Sequence, residues 1–414
     1  MNGSTLWAPE HHEIRVARAA LTRLMEPSDL AGSSLIRVAG PVEALAFIRS
    51  NASSEPRLEA QMTAVLQEAG TARWPGLADA LGRWRPRLPD LAPERDLDVI
   101  QRLGGGLLVP ENPAWPAALG DLQLNEPIAL WLRGRNPVIP DQGRCIAVVG
   151  SRDSTSYGAN VASEMASALV QRGYTVVSGG AYGIDAHAHR GALNATWGSL
   201  PAFGDAGQGD GQPATLAVMA GGIDRFYPSG NEGLLRSIAE QGAMLAEVPP
   251  GTNPTRFRFL QRNRLIAALC QVSVVVEARW RSGALNTAHH ADALSRQVGA
   301  VPGSVYSANS AGCHRLLHDG AAVCVTDAAD VAELAGAIGA NLKDEPETTP
   351  ALYDGLSSAD LMVLDALPLR STATVTKLCT VAGLGAGQLL AGLGRLETLG
   401  LAVRIDGDWK RAPQ

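Results

Sequence analysis

The sequence predicts an α/β protein, and three patterns along the chain support this. Before about residue 70, apolar residues recur at helical spacing only. Between residues 145 and 339, short apolar runs alternate with helical periods, and strands that are apolar on both faces and separated by helices form a parallel sheet covered on both sides. After residue 356, three helical segments precede two short strands, which is typical of a winged helix.

These patterns divide the chain into five predicted parts. Residues 1–75 are expected to form a helical domain of the SAM or helix-hairpin-helix type, and residues 76–140 a lead-in rich in proline and tryptophan that packs on the core. The sheet domain spans 141–340, with strands expected at 146–149, 175–178, 215–220, 244–247, 272–277, 298–301 and 321–325. The acidic segment 341–355 is the expected linker to a winged helix at 356–414. Residues 198–213 lack periodicity, which predicts a mobile surface loop.

Composition limits the function classes. The 414 residues are 46% hydrophobic and carry a formal net charge of -6, which argues against binding polyanions over the whole surface but permits a local basic groove. Residues 1–13 contain no basic segment leading into an apolar core, and no run of 18 apolar residues occurs, so neither export nor membrane insertion is expected.

The cysteine pattern favours a cytoplasmic protein. Five cysteines are scattered without a C-x-x-C pair, so a disulfide framework or a zinc knuckle is not expected. The pattern fits buried thiols in a reducing cytoplasm. The residues are Cys145, Cys270, Cys313, Cys324 and Cys379.

The first candidate site is the turn Gly150, Ser151 and Arg152, where an apolar run meets a helical period. A helix N-terminus after such a turn binds anions through its free N–H groups and its dipole. The turn lacks the second glycine of a dinucleotide site, no acid ends the second strand, and no G-K-[ST] occurs in the chain. Arg152 therefore suits a phosphodiester better than a nucleotide cofactor. The alternative is a tight turn needed only for helix–sheet packing.

A second turn after a predicted strand contains Ser178, Gly179 and Gly180. Glycines there let the backbone approach a ligand closely. Gly183, Asp185 and His189 follow, and for the last two residues capping or core hydrogen bonding is as reasonable as ligand contact. Metal binding is not expected, because His187 and His189 diverge on a helix and no carboxylate cluster accompanies that pair or the pair His289 and His290.

The third candidate is a basic run interleaved with phenylalanine. Six arginines and one acid lie between Thr252 and Arg281. Cations beside stacking surfaces suit single-stranded nucleic acid, although a solvated face is the alternative for any single arginine. The candidate residues in this run are Arg256, Arg258, Phe259, Arg262, Asn263 and Arg264, extended by Arg279 and Arg281.

A fourth turn, Ser282 and Gly283, again precedes a helical period and could offer N–H donors to a phosphate. Taken alone it is a weak signal. Because ligands bind at the carboxyl edge of a parallel sheet, the turns and the basic run are expected to converge on one groove.

With these motifs in order, the chain resembles the DprA/Smf family of DNA-processing proteins. The resemblance implies an extended Rossmann-like domain that binds single-stranded DNA, forms a homodimer and helps load the RecA recombinase during natural transformation, with no cofactor and no established catalytic reaction. It assigns DNA contacts to Arg152 and residues 262–264, beside the Ser178 and Ser282 turns. Departures are Arg258 for a common His or aromatic residue, Leu260 for a common Pro, and a longer insert at 198–213. The matching segments are 148–152, 157–158, 177–185, 189–193, 220–224, 227–228, 259, 262–264, 276–278, 282–283 and 301–303.

Two other classes remain open on the residues. One is a nucleoside-monophosphate hydrolase of the lysine-decarboxylase-like type, although its Pro-Gly-Gly-x-Gly-Thr signature is missing and the region after Arg281 has no acid until Asp292. The other is a regulatory adaptor that acts through the winged helix. Residues 374–414 carry a net charge of only +2, too slight to assert duplex binding.

Overall fold

The computed structural model describes residues 12–50, 52, 55–71, 74–135, 137–195, 212–336 and 355–412. The chain divides into two compact units, residues 1–343 and 344–414. The predicted division of the first unit at residues 75 and 140 stays a prediction. Most of the predicted surface loop at 198–213 and of the predicted linker at 341–355 lies outside the described residues.

The described part of the first unit is built on a nine-stranded sheet with the order β1-β2-β6-β5-β4-β3-β7-β8-β9. From β3 to β9 all strand pairs are parallel, as the buried apolar runs predict. The strands are β1 (Gly105–Leu108), β2 (Leu130–Gly134), β3 (Cys145–Val149), β4 (Thr175–Ser178), β5 (Thr215–Met219), β6 (Ala243–Ala246), β7 (Val272–Val275), β8 (Gln297–Ala300) and β9 (Val323–Cys324).

The lead-in segment does more than pack on the core. It contributes β1 and β2, which extend the sheet antiparallel beyond β6. The candidate strand at 128–132 is β2, shifted by two residues. The sequence signal was weak because a four-residue strand such as β1, with two glycines, has little β propensity of its own.

Helices cover both faces of the sheet. Along β3, Cys145, Ala147 and Val149 pack into one apolar cluster and Ile146 and Val148 into another, because successive side chains point to opposite faces. The first unit contains α1 (His12–Leu24), α2 (Leu30–Ala39), α3 (Pro41–Arg49), α4 (Pro56–Glu68), α5 (Leu77–Trp84), α6 (Pro93–Arg102), α7 (Ser156–Gln171), α8 (Ile184–Asn194), α9 (Glu232–Gln241), α10 (Arg256–Leu269), α11 (Gly283–Ala293), α12 (Ala311–His318) and α13 (Ala328–Ala335). Helices α10, α11 and α12 cover the first face, and α7, α8 and α13 the second.

Side-chain caps fix where three of these helices begin. Thr155 accepts from Gly158 N at 3.1 Å before α7, Thr255 from Arg258 N at 3.2 Å before α10, and the Ser282 hydroxyl from Ala284 N at 3.3 Å before α11. Each cap satisfies a free N–H group of the first helical turn. The short 3₁₀ helices are Arg85–Asp90, Ala117–Asn125, Gln142–Arg144 and Ser229–Asn231.

The second unit has the three helices and two strands that the residue spacing predicts: α14 (Ser358–Ala366), α15 (Val375–Ala382), α16 (Ala386–Thr398), β10 (Ala402–Ile405) and β11 (Asp408–Arg411). The strands pair antiparallel, and Trp409 packs with Leu364 and Leu393 in a small core. A capping box between Ser357 and Asp360 starts α14. Assignment of this unit as a winged helix stays a prediction.

One observation bears on membrane insertion. Within the described ranges, no single helix combines the length and apolarity needed to cross a bilayer. Helices α2 and α3 meet the criterion only as a pair, and the pair is bent by 113°.

Candidate nucleic-acid interface

The candidate site lies where the direction of strand order changes. Strand β3 pairs with β4 on one side and with β7 on the other, so the connections after β3 and β7 diverge and leave a crevice at their carboxyl ends. A groove of about 740 Å³ occupies this position. Its walls come from the turn after β3, the first turns of α10, and the connection from β7 to α11.

Close backbone contacts hold the turn after β3 in place. Ser151 N donates to Glu277 O at 2.7 Å, and Ile184 N donates to Ser151 O at 3.1 Å. Gly183 has φ +72°, and a Cβ there would lie 2.2 Å from Ser151 O. Glycine is therefore required at 183, and the turn is fixed with the Arg152 side chain exposed to the groove.

Arg152 and Phe259 form the central contact of the groove. The guanidinium carbon of Arg152 lies 4.8 Å from the Phe259 ring centroid, within the range of a cation–π interaction. The Tyr227 ring lies 6.1 Å from Phe259 on a tilted plane. A positive charge and two aromatic rings thus share one wall, with Arg152 and Tyr227 both exposed.

The structure separates the arginines of the basic run into two groups. Arg258 pairs with Glu26 at 2.9 Å and Arg264 with Glu247 at 2.6 Å, so their charge is neutralised by carboxylates. None of the ion pairs found among the described residues includes Arg152, Arg256 or Arg281, which line the groove.

Arg262 belongs to neither group, because it is a largely buried residue at the base of the groove. It donates to Val218 O and, at 3.2 Å, to Asn263 Oδ1. Burial is the main cause that lowers its pKa to about 10, partly offset by Asp185. Its guanidinium lies against Gly179, where an added Cβ would come within 2.1 Å of a guanidinium nitrogen. The small residue at 179 therefore makes room for Arg262.

The turn after β4 is more buried than the sequence predicts for a turn that contacts a ligand. The Ser178 hydroxyl donates to Val148 O at 2.7 Å with no exposed surface. Asp185 accepts from Gly179 N at 3.1 Å and Ala181 N at 3.4 Å, and burial raises its pKa.

His189 packs in the same buried region. Its Nδ1 lies 2.7 Å from Thr215 Oγ1, and burial, with smaller contributions from Arg262 and Arg190, lowers its pKa to about 3. The imidazole is therefore neutral at ordinary pH. Among the residues that the structure describes, no three His, Cys, Asp or Glu side chains gather as a metal site.

The connection from β7 to α11 forms the opposite wall. Gly283 is exposed there, and Asn263 Nδ2 donates to Gly283 O and to Asn286 Oδ1 at 3.2 Å each. These bonds tie α10 to the start of α11. Arg279 donates to Asp153 Oδ2 at 2.6 Å and to Asn309 Oδ1 at 2.7 Å, which closes one end of the groove with a surface ion pair.

The structure places nine of the fourteen predicted DNA-binding residues at the groove and the other five away from it, and DNA contact by any of them stays a prediction. Ser178 and Arg264 are buried in hydrogen bonds or ion pairs, Gly179 lies under Arg262, Gly180 packs on Leu235 and Met219, and Arg258 turns to Glu26. The nine that line the groove are Gly150, Ser151, Arg152, Arg256, Phe259, Arg262, Asn263, Ser282 and Gly283.

The structure also adds lining residues that were not predicted as site residues, among them Tyr227, Leu260 and Asn286. Tyr227 follows β5 and precedes Pro228, and its signal in the sequence is that residues 227–228 match a motif of the family. Asn286 lies one helical turn after Ser282 and has no signal in the sequence.

The sheet order and the groove at its switch point define a Rossmann-like α/β protein with a basic, aromatic-lined site. The family model described as DNA recombination-mediator protein A matches residues 106–336, and the chain belongs to this family, DprA/Smf. A protein of Mycobacterium tuberculosis assigned as DNA processing protein DprA is 41% identical over 404 residues, covering 95% of this chain and 93% of that protein.

Two further relatives agree with this family. Protein Smf of Synechocystis is 31% identical over 348 residues, covering 77% of this chain and 83% of its own length. The X-ray structure of DNA processing protein A from Streptococcus pneumoniae superposes with a TM-score of 0.55 at 25% identity, over 77% of this chain and 96% of that one. The resemblance inferred from the sequence motifs is thereby confirmed.

Proposed function

We propose that the chain binds single-stranded DNA in the switch-point groove, protects incoming DNA, and helps load the RecA recombinase during DNA uptake and transformation, without catalysing a reaction. The observation that carries the proposal is the contact of Arg152 with Phe259 in a groove that Arg256 and Arg281 also line. Unpaired cations neutralise phosphates, and exposed rings stack on bases. Unpaired arginines and aromatic rings line the same groove in this protein.

The aromatic wall favours a single strand over a duplex. In a duplex the faces of each base are covered by its neighbours, whereas an unpaired strand can place a base face on Phe259 or Tyr227. The base edges make no contribution to such stacking. We therefore expect binding with little dependence on sequence.

The nucleotide-hydrolase alternative needs a free carboxylate in the groove. The two acids that line it are Asp153, paired with Arg279, and Asp185, which holds two backbone N–H groups. Neither is placed as an unpaired nucleophile or base. Incubation with nucleoside monophosphates should release no free base, and detection of base release by chromatography would favour the hydrolase.

The recombinase step rests on family membership, because the family is described as a recombination mediator. We propose that the chain acts as a cytoplasmic homodimer that delivers its bound strand to RecA. The assay is RecA ATPase activity on single-stranded DNA coated with a competing binding protein. Addition of this protein should shorten the lag; an unchanged lag would remove the loading step and leave strand binding intact.

The experiment for strand binding compares single-stranded and duplex oligonucleotides at two salt concentrations. Arg152→Ala should weaken single-strand binding for all sequences alike and reduce the slope of log affinity against log salt by about 0.7 for each phosphate that the variant no longer neutralises. Arg190→Ala is the matched control, because Arg190 is exposed in the same unit and does not line the groove. Equal affinity of wild type and Arg152→Ala would contradict the proposed site.

A further inference from the structure

Trp280 is exposed at the rim of the groove and takes no part in the site described so far. It lies in the connection between β7 and α11, and its sequence neighbours Arg279 and Arg281 both line the groove. Of its surface, 59% is exposed, whereas Trp84 and Trp131 are buried in the same unit. An indole thus stands in solvent where the groove opens.

The connection that carries Trp280 is held firmly against α12. Ala278 N donates to Asn309 O at 2.7 Å, and Gly312 N donates to Ala278 O at 2.7 Å. A Cβ on Gly312 would lie 2.7 Å from Ala278 Cβ, so α12 approaches the connection more closely than other residues would allow. Arg279 adds its bonds to Asp153 and Asn309.

This close approach brings a cation to the ring. Helix α12 carries Arg315, whose guanidinium carbon lies 5.2 Å from the Trp280 ring centroid, within cation–π range. Arg315 also lies 3.5 Å from Asp319 on the same helix. The ring is therefore supported by a positive charge, as Phe259 is by Arg152.

We propose that Trp280 is a second stacking site, on which a base of a single strand leaving the groove past Arg281 lies against the indole. This inference rests on the proposed single-strand binding and adds the direction in which the bound strand extends. A polyanion with planar bases fits because Arg315 lies over the ring and because Arg279 and Arg281, the sequence neighbours of Trp280, line the groove. A protein partner or a second copy of the chain is the competing occupant.

The experiment is a length series of thymidine oligonucleotides, from about 6 to about 20 nucleotides, a range chosen from the site sizes of single-strand binders. Trp280→Leu keeps an apolar side chain and removes the stacking surface, and Trp280→Phe restores an aromatic ring. Tyr306→Leu is the matched control, because Tyr306 is 97% exposed in the same unit and does not line the groove.

We expect Trp280→Leu to bind the shortest oligonucleotide like wild type and the longest about 5-fold or more weakly, as removal of one base–aromatic stack predicts. Trp280→Phe should recover most of the loss, and Tyr306→Leu should show none. Equal affinity of wild type and Trp280→Leu at every length would overturn the inference while leaving the groove intact.

Two other outcomes also decide against it. A change of molar mass of Trp280→Leu in light scattering would assign the ring to an interface between copies of the chain. Failure of the wild type to bind an oligonucleotide of any length would remove the proposed function, and the second stacking site with it. The short oligonucleotide thus separates failure of the groove from failure of Trp280.

Discussion

Glu26 and Arg258 form a two-point ion pair that joins the N-terminal helices to the groove. Arg258 Nε and Nη2 donate to the two carboxylate oxygens of Glu26 at 2.9 Å each. Glu26 also accepts from Arg87 at 3.0 Å, and Ser28, two residues on, accepts from Arg264 at 2.8 Å. The turn between α1 and α2 therefore fixes the first two turns of α10, from which Arg256 and Phe259 reach the groove.

Replacement of Glu26 tests this link, because loss of the negative charge and loss of support for α10 change the affinity for DNA in opposite directions. Removing an acid near a basic groove strengthens DNA binding by simple electrostatics, whereas loosening α10 weakens it. We expect Glu26→Gln to bind single-stranded DNA several-fold more weakly in a fluorescence titration. The control Glu43→Gln makes the same charge change on an exposed position of α3. Stronger binding by Glu26→Gln would show that α10 needs no support from this turn.

Replacement by alanine should lower the stability of the protein at one glycine of the predicted site, Gly179, and leave it nearly unchanged at another, Gly283. A Cβ at Gly179 would displace the buried Arg262 guanidinium, whereas nothing lies within 4 Å of a Cβ at Gly283. Gly179→Ala should cost about 1–3 kcal/mol of unfolding free energy, as for other overpacked sites. Gly283→Ala should be near neutral. Urea unfolding of both variants checks this; equal stabilities would mean that Arg262 moves aside without cost.

His189 should make stability depend on pH. The pKa of His189 falls from 6.5 to about 3 in the folded protein. Between these two pH values the unfolded chain therefore binds a proton at His189 and the folded protein does not. Stability is therefore lost as pH falls below about 6.5, by up to about 1.4 kcal/mol per pH unit.

The measurement compares urea midpoints of wild type and His189→Gln at about pH 7 and about pH 5. Burial raises the pKa values of Asp185 and Glu247, which acts in the opposite direction in both proteins and cancels in the comparison. Wild type should lose more stability on acidification than the variant. Parallel losses would mean that His189 titrates normally.

Asp153 should restrain binding at the groove rim. It is 80% exposed at its side chain and pairs with Arg279 at 2.6 Å, so a strand must compete with a carboxylate for that arginine. Asp153→Asn should strengthen single-strand binding at low salt, and the gain should shrink as salt screens exposed charges. Asp121→Asn serves as control, since Asp121 pairs with Arg296 away from the groove. Weaker binding by Asp153→Asn would instead show that the ion pair between Asp153 and Arg279 supports the groove.

The parts of the site that follow from local sequence were predictable. Gly150 directly follows β3, and Ser282 caps α11 after β7. Strand ends of a parallel sheet share one edge. The ion-pair partner of each arginine was not predictable, because Arg258 pairs with a residue 232 positions away and Arg264 with Glu247, which follows β6. Charge spacing along a helix does not report partners that tertiary folding brings in.

The antiparallel strands β1 and β2 show that prediction of the fold from local sequence is limited in the same way. Leu130 and Trp131 belong to an apolar run that predicts a strand, but Gly105 and Gly106 leave β1 without an apolar pattern typical of a strand. The pairing of β1 with β2 supplies the hydrogen bonds that local propensity does not favour. Tertiary pairing decides such strands.

The separation of β3 and β7 along the chain governs when the groove can exist. Arg152 follows β3, while Arg281 and Gly283 follow β7, after three intervening strands have been added on the far side of β3. During synthesis from the N-terminus, a chain that ends at β6 has the turn after β3 but lacks both α10 and the connection from β7 to α11, which form the other walls of the groove. If the proposed function is correct, strand binding therefore begins only after translation has passed α11.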